Sequence, residues 1–300
     1  MTEPVSLAYA EAGDGRRLAY AQWGDPDGLP VFLLHGTPGC RLNRPIDDAK
    51  LAATGARVIT YDRPGYGRSD RHEGRRVSDC VGDVVAIADS LGIGRFAVTG
   101  GSGGGPHCLA VAAGLPDRVI RARCVVGLAP WRAEGLDWYL GMDPENVKEF
   151  GWALAGVDVL VPELEREAAE MLERVADDPS TILGAFEVSE ADRAVLADSL
   201  VQQLFRESTP ECFANGVWGW ADDDLAFTEP WGFDLGAITM PTEIYYGETD
   251  VLVPAGHGRW LASHVPGAEV HVKTDKGHMA NQDEIVAELA KLVESARRDL

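Results

Sequence analysis

Up to residue 130, short β-branched or apolar runs alternate with stretches of helical period. The runs at 5–11, 18–23, 31–35, 57–62, 96–100 and 124–129 predict strands, and 78–91 and 105–113 predict helices. After residue 235 the alternation resumes, with a strand at 243–247, a helix at 255–264, a strand at 269–273 and a terminal helix over 283–297. Strands that alternate with helices require crossover connections. The pattern therefore predicts a mostly parallel sheet of eight strands, covered by helices on both faces.

Between these two parts, residues 131–235 carry helical period only. Pro162 is suited to the first turn of a helix that places Leu164, Ala168, Met171, Leu172 and Val175 on one face. Ser189, with Asp192 three residues on, resembles a capping box before a helix over 194–205. Thr209-Pro210 opens another helix through Phe213 and Val217. The expected organisation is a core in two parts, 1–130 and 236–300, interrupted by a helical cap at 131–235. An insertion at the carboxyl end of a parallel sheet lies over the crevice where ligands bind, so the cap is read as a lid.

Charge marks the same boundaries. Residues 1–130 hold 15 Lys and Arg against 14 Asp and Glu, residues 131–235 hold 6 against 24, and residues 236–300 hold 6 against 10. The −18 of the middle segment is expected on an outer, solvated face, because Glu163, Glu165, Glu167, Glu170 and Glu173 alternate with the apolar stripe. Asp222, Asp223 and Asp224 lack the spacing of a calcium loop and read as solvated surface. Six of the eight tryptophans fall in the cap or at its borders, with Tyr139 and Phe213, and are expected mainly to pack it onto the core.

Composition adds exclusions. A net charge of −21 repels phosphate backbones, so nucleic acid is not an expected partner. No apolar run reaches the ~18 residues of a membrane span, and the amino terminus lacks the basic and apolar regions of a secretory signal. The five cysteines form no CxxC pair, which favours a reducing compartment. The expectation is a cytoplasmic protein without cofactor or metal. A homo-oligomer is compatible with the sequence, which does not specify one.

The chemistry lies in four segments. Gly100, Ser102 and Gly104 satisfy G-x-S-x-G between an apolar strand and an Ala-rich helix, the context of a turn that exposes a serine nucleophile at a helix amino terminus. No lysine follows in the phosphate-loop position. In HGTPG at 35–39, the Thr37 N–H is expected to join that of Gly103 as an oxyanion hole, while His35 holds the loop. Asp250 follows the strand that ends at Gly247, and His278 follows the last strand. In this reading His278 takes the serine proton and Asp250 orients the imidazole. Asp275 is a rival acid, more suited to capping or solvation. His72, His107, His257, His264 and His271 are less suited as the base.

HGTPG at 35–39, DRPGYGRS at 62–69 and GGSGG at 100–104, followed by GETDVLVP and GH, together resemble the α/β-hydrolase superfamily over nearly the whole chain. The branch it is similar to includes esterases and proline iminopeptidases, although the latter usually have GGSWG where Gly103 stands here. The resemblance implies the α/β-hydrolase fold with an inserted cap and the triad Ser102, Asp250 and His278. It also puts the 62–69 loop near the pocket, with Arg63 and Tyr66 as weak pocket candidates. The expected activity is hydrolysis of a carboxylic ester or related small acyl substrate. The alternatives are an iminopeptidase-like aminopeptidase or a binding protein that has lost turnover.

Overall fold

A computed structural model describes residues 7–300 of the chain. The strands are β1 (Ala8–Glu11), β2 (Arg17–Gly24), β3 (Leu29–Leu34), β4 (Ala56–Tyr61), β5 (Phe96–Gly101), β6 (Val119–Val125), β7 (Thr242–Gly247) and β8 (Glu269–Lys273). They form one sheet in the order β1-β2-β4-β3-β5-β6-β7-β8. Strand β2 runs antiparallel to both β1 and β4, and the remaining pairs are parallel. The first expected strand, 5–11, lies partly outside the described residues.

Alternation along each strand sorts its side chains to two faces. Val31 and Val58 meet Leu51 of α1 (Asp48–Ala53) and Leu289, Leu292 and Val293 of α10 (Gln282–Arg298). Phe32, Leu34, Ile59 and Tyr61 belong to the opposite layer with α2 (Cys80–Ser90), α3 (Gly104–Gly114) and α9 (Ala255–His264). A fully buried Leu51 or Leu292 contributes about 1.5–3 kcal/mol. Helix α10 starts where Asn281 and Glu284 cap each other reciprocally, and Arg297 and Arg298 complement its dipole at the other end.

Five helices lie between β6 and β7: α4 (Pro144–Ala155), α5 (Val157–Asp177), α6 (Glu190–Leu196), α7 (Ser199–Cys212) and α8 (Trp218–Phe227). Their apolar faces form two clusters. One joins Leu160, Leu164, Cys212 and Trp220 to Tyr66 and Cys40 of the core. The other joins Val175, Ile182, Val188 and Leu196 to Val251, Leu252 and Met279. Glu165 and Glu173 are exposed, while Arg166 is paired with Glu163, Glu167 and Glu170. This is the outer face expected for α5.

Several boundaries differ from the sequence pattern. Strand β6 is 119–125 rather than 124–129, because Arg121 and Arg123 break the apolar pattern. Their buried guanidinium groups are paired with Glu243 on the neighbouring strand. The chain leaves the sheet at Val126, whose φ is 45°. Helix α5 begins at Val157, so Pro162 lies inside it rather than in its first turn. The break before it is Gly156, at φ 103°. The helix expected over 194–205 is two, split where Asp198 caps α7, and Pro210 lies inside α7 instead of opening a helix. No helix of the described residues is long and apolar enough to cross a membrane. The five cysteines are buried and unbridged.

The strand order places the site. From β3 the chain crosses to β4 on one side, and β5 then pairs with β3 on the other side. The carboxyl ends of β3 and β5 therefore flank a topological switch point, where parallel sheets leave a crevice for ligands. Segments 35–39 and 100–104 both lie there.

Candidate active site

The serine turn is built by glycines. A Cβ on Gly100 would run into the Gly104 carbonyl oxygen, and one on Gly104 into the Leu34 carbonyl oxygen. Without side chains at these two positions, the chain reverses from β5 into α3 hard against β3. Ser102 occupies the apex at φ 53°, a left-handed backbone that costs an L residue about 1–2 kcal/mol. The turn is held by Ser102 N–H donating to Val125 O (2.9 Å) and Gly105 N–H donating to Ser102 O (2.8 Å).

The 35–39 loop abuts this turn. A Cβ on Gly36 would lie 3.4 Å from Ser102 Cβ, and one on Gly103 would lie 3.1 Å from Thr37 N. Neither Thr37 N–H nor Gly103 N–H donates to a protein acceptor among the described residues. Two unpaired backbone donors thus lie beside the serine, the composition of an oxyanion site. His35 is structural, as expected: its Nδ1 is 2.7 Å from Gly36 O and its Nε2 accepts from Arg63 N–H at 3.2 Å. Burial, followed by the Arg63 charge, holds its pKa well below the usual imidazole value.

Asp250 and His278 meet at the carboxyl ends of β7 and β8. Asp250 Oδ2 is 2.8 Å from His278 Nδ1. The other oxygen, Oδ1, accepts from Leu252 N–H and Val253 N–H at 2.9 Å each, which fixes the carboxylate. Nδ1 is occupied, so Nε2 is the nitrogen left for proton transfer. Burial lowers the His278 pKa, but the charge and hydrogen bond of Asp250, with the charge of Asp192, raise it above the ordinary value. Asp275 is exposed and has no hydrogen bond to His278. Ser102 Oγ and His278 are not hydrogen-bonded to each other among the described residues.

The other buried histidines are committed elsewhere. His257 bonds Trp138 O and the Ala129 N–H, and burial pulls its pKa to about 4. His107 donates from Nδ1 to Gly103 O at 2.8 Å, and burial pulls its pKa to about 3.

Reading the sequence missed two groups. Asp192, on α6, accepts the Met279 N–H at 2.7 Å and the Ser189 hydroxyl at 2.9 Å, bracing the loop that carries His278. The capping motif at Ser189 was visible, but its tertiary target was not. The larger correction concerns Asp222, Asp223 and Asp224, which are buried to within 2% rather than solvated. Asp222 pairs with Arg71 at 2.9 Å, and Asp223 with Arg63 at 2.6 Å and Arg75 at 2.7 Å. Arg63 and Tyr66 are fully buried in this network and are not free pocket side chains. Asp224 lies against Glu149, and burial raises both carboxyls, Glu149 to about 7. No cluster of three or more acidic, His or Cys groups is placed to hold a metal among the described residues. A groove of about 1000 Å³ behind Asp250 is lined by Leu136, Thr249, Arg259 and Trp260, but neither Ser102 nor His278 borders it.

A serine on a strand–turn–helix bend at the switch point and a histidine held by an aspartate at the carboxyl ends of β7 and β8 are the elements of a hydrolase class, and the comparisons agree. Residues 30–284 match the family model for the alpha/beta hydrolase fold. The chain belongs to this family and is a hydrolase. It is 27% identical to a proline iminopeptidase of Neisseria meningitidis, covering 97% of this chain and 96% of that protein. It is 31% identical to a 2-hydroxy-6-oxononadienedioate/2-hydroxy-6-oxononatrienedioate hydrolase of Cupriavidus pinatubonensis, covering 83% and 80%. An alpha/beta hydrolase fold protein from Nakamurella multipartita superposes with a TM-score of 0.70 at 23% identity, covering 97% and 99%.

Proposed function

We propose that the chain is a serine hydrolase of carboxylic esters or related small acyl substrates, working through an acyl-enzyme. The observation that carries this reading is the 2.8 Å bond from Asp250 to His278 Nδ1, which leaves Nε2 as the base. Ser102 Oγ attacks the carbonyl carbon as its proton passes to His278 Nε2. The oxyanion is held by the Thr37 and Gly103 N–H groups, each such donor being worth on the order of 10²–10³ in rate. Collapse expels the alcohol, protonated by His278. Water then attacks the acyl-enzyme with His278 again as base. The segment 131–235, which contains helices α4–α8, acts as the cap that encloses the substrate.

The test is a series of p-nitrophenyl esters of graded chain length, with fluorophosphonate labelling mapped by peptide mass. Turnover with burst release and a label on Ser102 is expected. Absence of both would overturn the reading.

A second reading, an iminopeptidase-like amidase, is favoured by one specific feature. Asp224 Oδ2 is buried without a hydrogen-bond partner beside Glu149, and among the described residues no cation forms a salt bridge with these two carboxyls. A substrate ammonium would complete such a pair. Prolyl p-nitroanilide run beside the esters decides between the readings: faster cleavage of the amide would displace the esterase.

A further inference from the structure

Asp223 is a buried anion from the inserted helices that touches the loop beside Ser102. Its side chain is 0% exposed. Besides Arg63 and Arg75, it accepts the Tyr66 hydroxyl at 2.9 Å and the Thr37 hydroxyl at 2.6 Å. Arg63, held by this carboxylate, continues past it. Its guanidinium donates to His35 O, to Gly36 O at 3.0 Å and to Thr37 Oγ1 at 3.0 Å.

The Gly36 carbonyl and the Thr37 N–H belong to one planar peptide unit, in which C=O and N–H point in opposite directions. Two donors hold that carbonyl from one side, Arg63 Nη2 and His35 Nδ1. The N–H is thereby directed to the other side. Resting on the acyl-transfer reading above, we propose that Asp223 is a positioning residue for the oxyanion loop. It orients Arg63 and the Thr37 side chain, and through them the Gly36–Thr37 peptide, so that the Thr37 N–H is aimed only when α8 is seated. Helix α8 then completes the chemical site as well as covering it. The fork geometry of arginine suits this role, because one planar cation reaches the carboxylate and three loop acceptors at once.

The experiment separates positioning from mere packing. Asp223→Asn keeps the size but removes the charge that holds Arg63. Thr37→Val leaves every charge in place and the backbone N–H intact, but removes the hydroxyl shared by Arg63 and Asp223. Each is measured for kcat and KM on a p-nitrophenyl ester, and for Ki of a trifluoromethyl ketone of the same acyl chain. The ketone forms a tetrahedral adduct with the serine and so reports the oxyanion donors. Expected are a loss of about ten- to a hundredfold in kcat, a KM within about threefold, and a Ki that rises with the kcat loss, since less is lost than on deleting a donor outright. Thr37→Ser, which restores the hydroxyl, should recover most of the Thr37→Val deficit. If Asp223→Asn fails to fold, the Thr37 pair carries the test. Wild-type kcat and Ki in folded Thr37→Val, or a loss confined to KM, would overturn the proposal. Wild-type protein that is neither labelled on Ser102 nor inhibited by the ketone would overturn the acyl-transfer reading itself, and this proposal with it.

Discussion

Single side chains at the site make separable predictions. Ser102→Ala should lower ester turnover on the order of 10⁴-fold or more, because triad members act as a unit. Its melting temperature should stay close to wild type, since the turn is shaped by Gly100 and Gly104. Asp250→Asn should be nearly inactive, because an amide presents the wrong partner to His278 Nδ1, whereas exposed Asp275→Asn should stay within a few-fold of wild type. Steady-state kcat on one ester ranks the pair, and the reverse order would move the acid to Asp275. The raised pKa of His278 sets a pH dependence. A base must be neutral, so kcat/KM should fall with pH through an inflection above the ordinary 6.5. Stability runs the other way: the contribution of protonated His278 is full below about 6.5 and is lost as pH rises through its folded value.

At the scale of elements, the inserted helices grip each loop of the site. Helix α8 reaches the 35–39 loop through Asp223, and α6 holds the His278 loop through Asp192. The segment at Asp143–Asn146 bonds the Asp250 loop, through Asp143 N–H to Val251 O at 2.7 Å and Asn146 Nδ2 to Leu252 O at 2.8 Å. Two substitutions test the α6 contact. Asp192→Asn keeps an acceptor for Met279 N–H but removes a charge that favours imidazolium, so the acid inflection of kcat/KM should move down toward 6.5. Gly277→Ala would push a methyl into Asp192 Oδ2 and displace the histidine loop. Such a misplacement, near 1 Å, is expected to cost on the order of 10² in rate. A pH–rate profile of Asp192→Asn identical to wild type would show that the aspartate does not act on the histidine.

For the molecule as a whole, the −18 of residues 131–235 divides into two populations. Glu165 and Glu173 face solvent, while Asp192, Asp222, Asp223 and Asp224 are buried. The exposed set is screened beyond about 8–10 Å at physiological salt and has no charged partner in a neutral ester. Ester kcat/KM should therefore change less than about twofold between low and physiological ionic strength, measured at fixed pH. The buried set acts on stability instead. Asp223→Ala strands two buried guanidinium groups and should cost about 3–5 kcal/mol, read from urea unfolding.

Local pattern sufficed where the physics is local. The count of eight strands, the serine turn and four of the five core helices could be read because alternation and glycine steric demands act within a few residues, whereas the six-residue α1 was too short to show a period. The order Ser102, Asp250, His278 was visible for the same reason, since each follows a strand that the pattern identifies. Strand β6 was misplaced because Arg121 and Arg123 obtain their counter-charge from Glu243, 122 and 120 residues away. The Asp222–Asp224 run was misread in the same way. A row of carboxylates looks solvated until Arg63 and Arg71 arrive from 160 and 151 residues upstream. Burial of charge depends on partners brought together only by the fold, because a charge leaves water only when another meets it. The order of strands and helices and the candidates Ser102, Asp250 and His278 were legible in the sequence, while the contacts that hold them came from the tertiary structure.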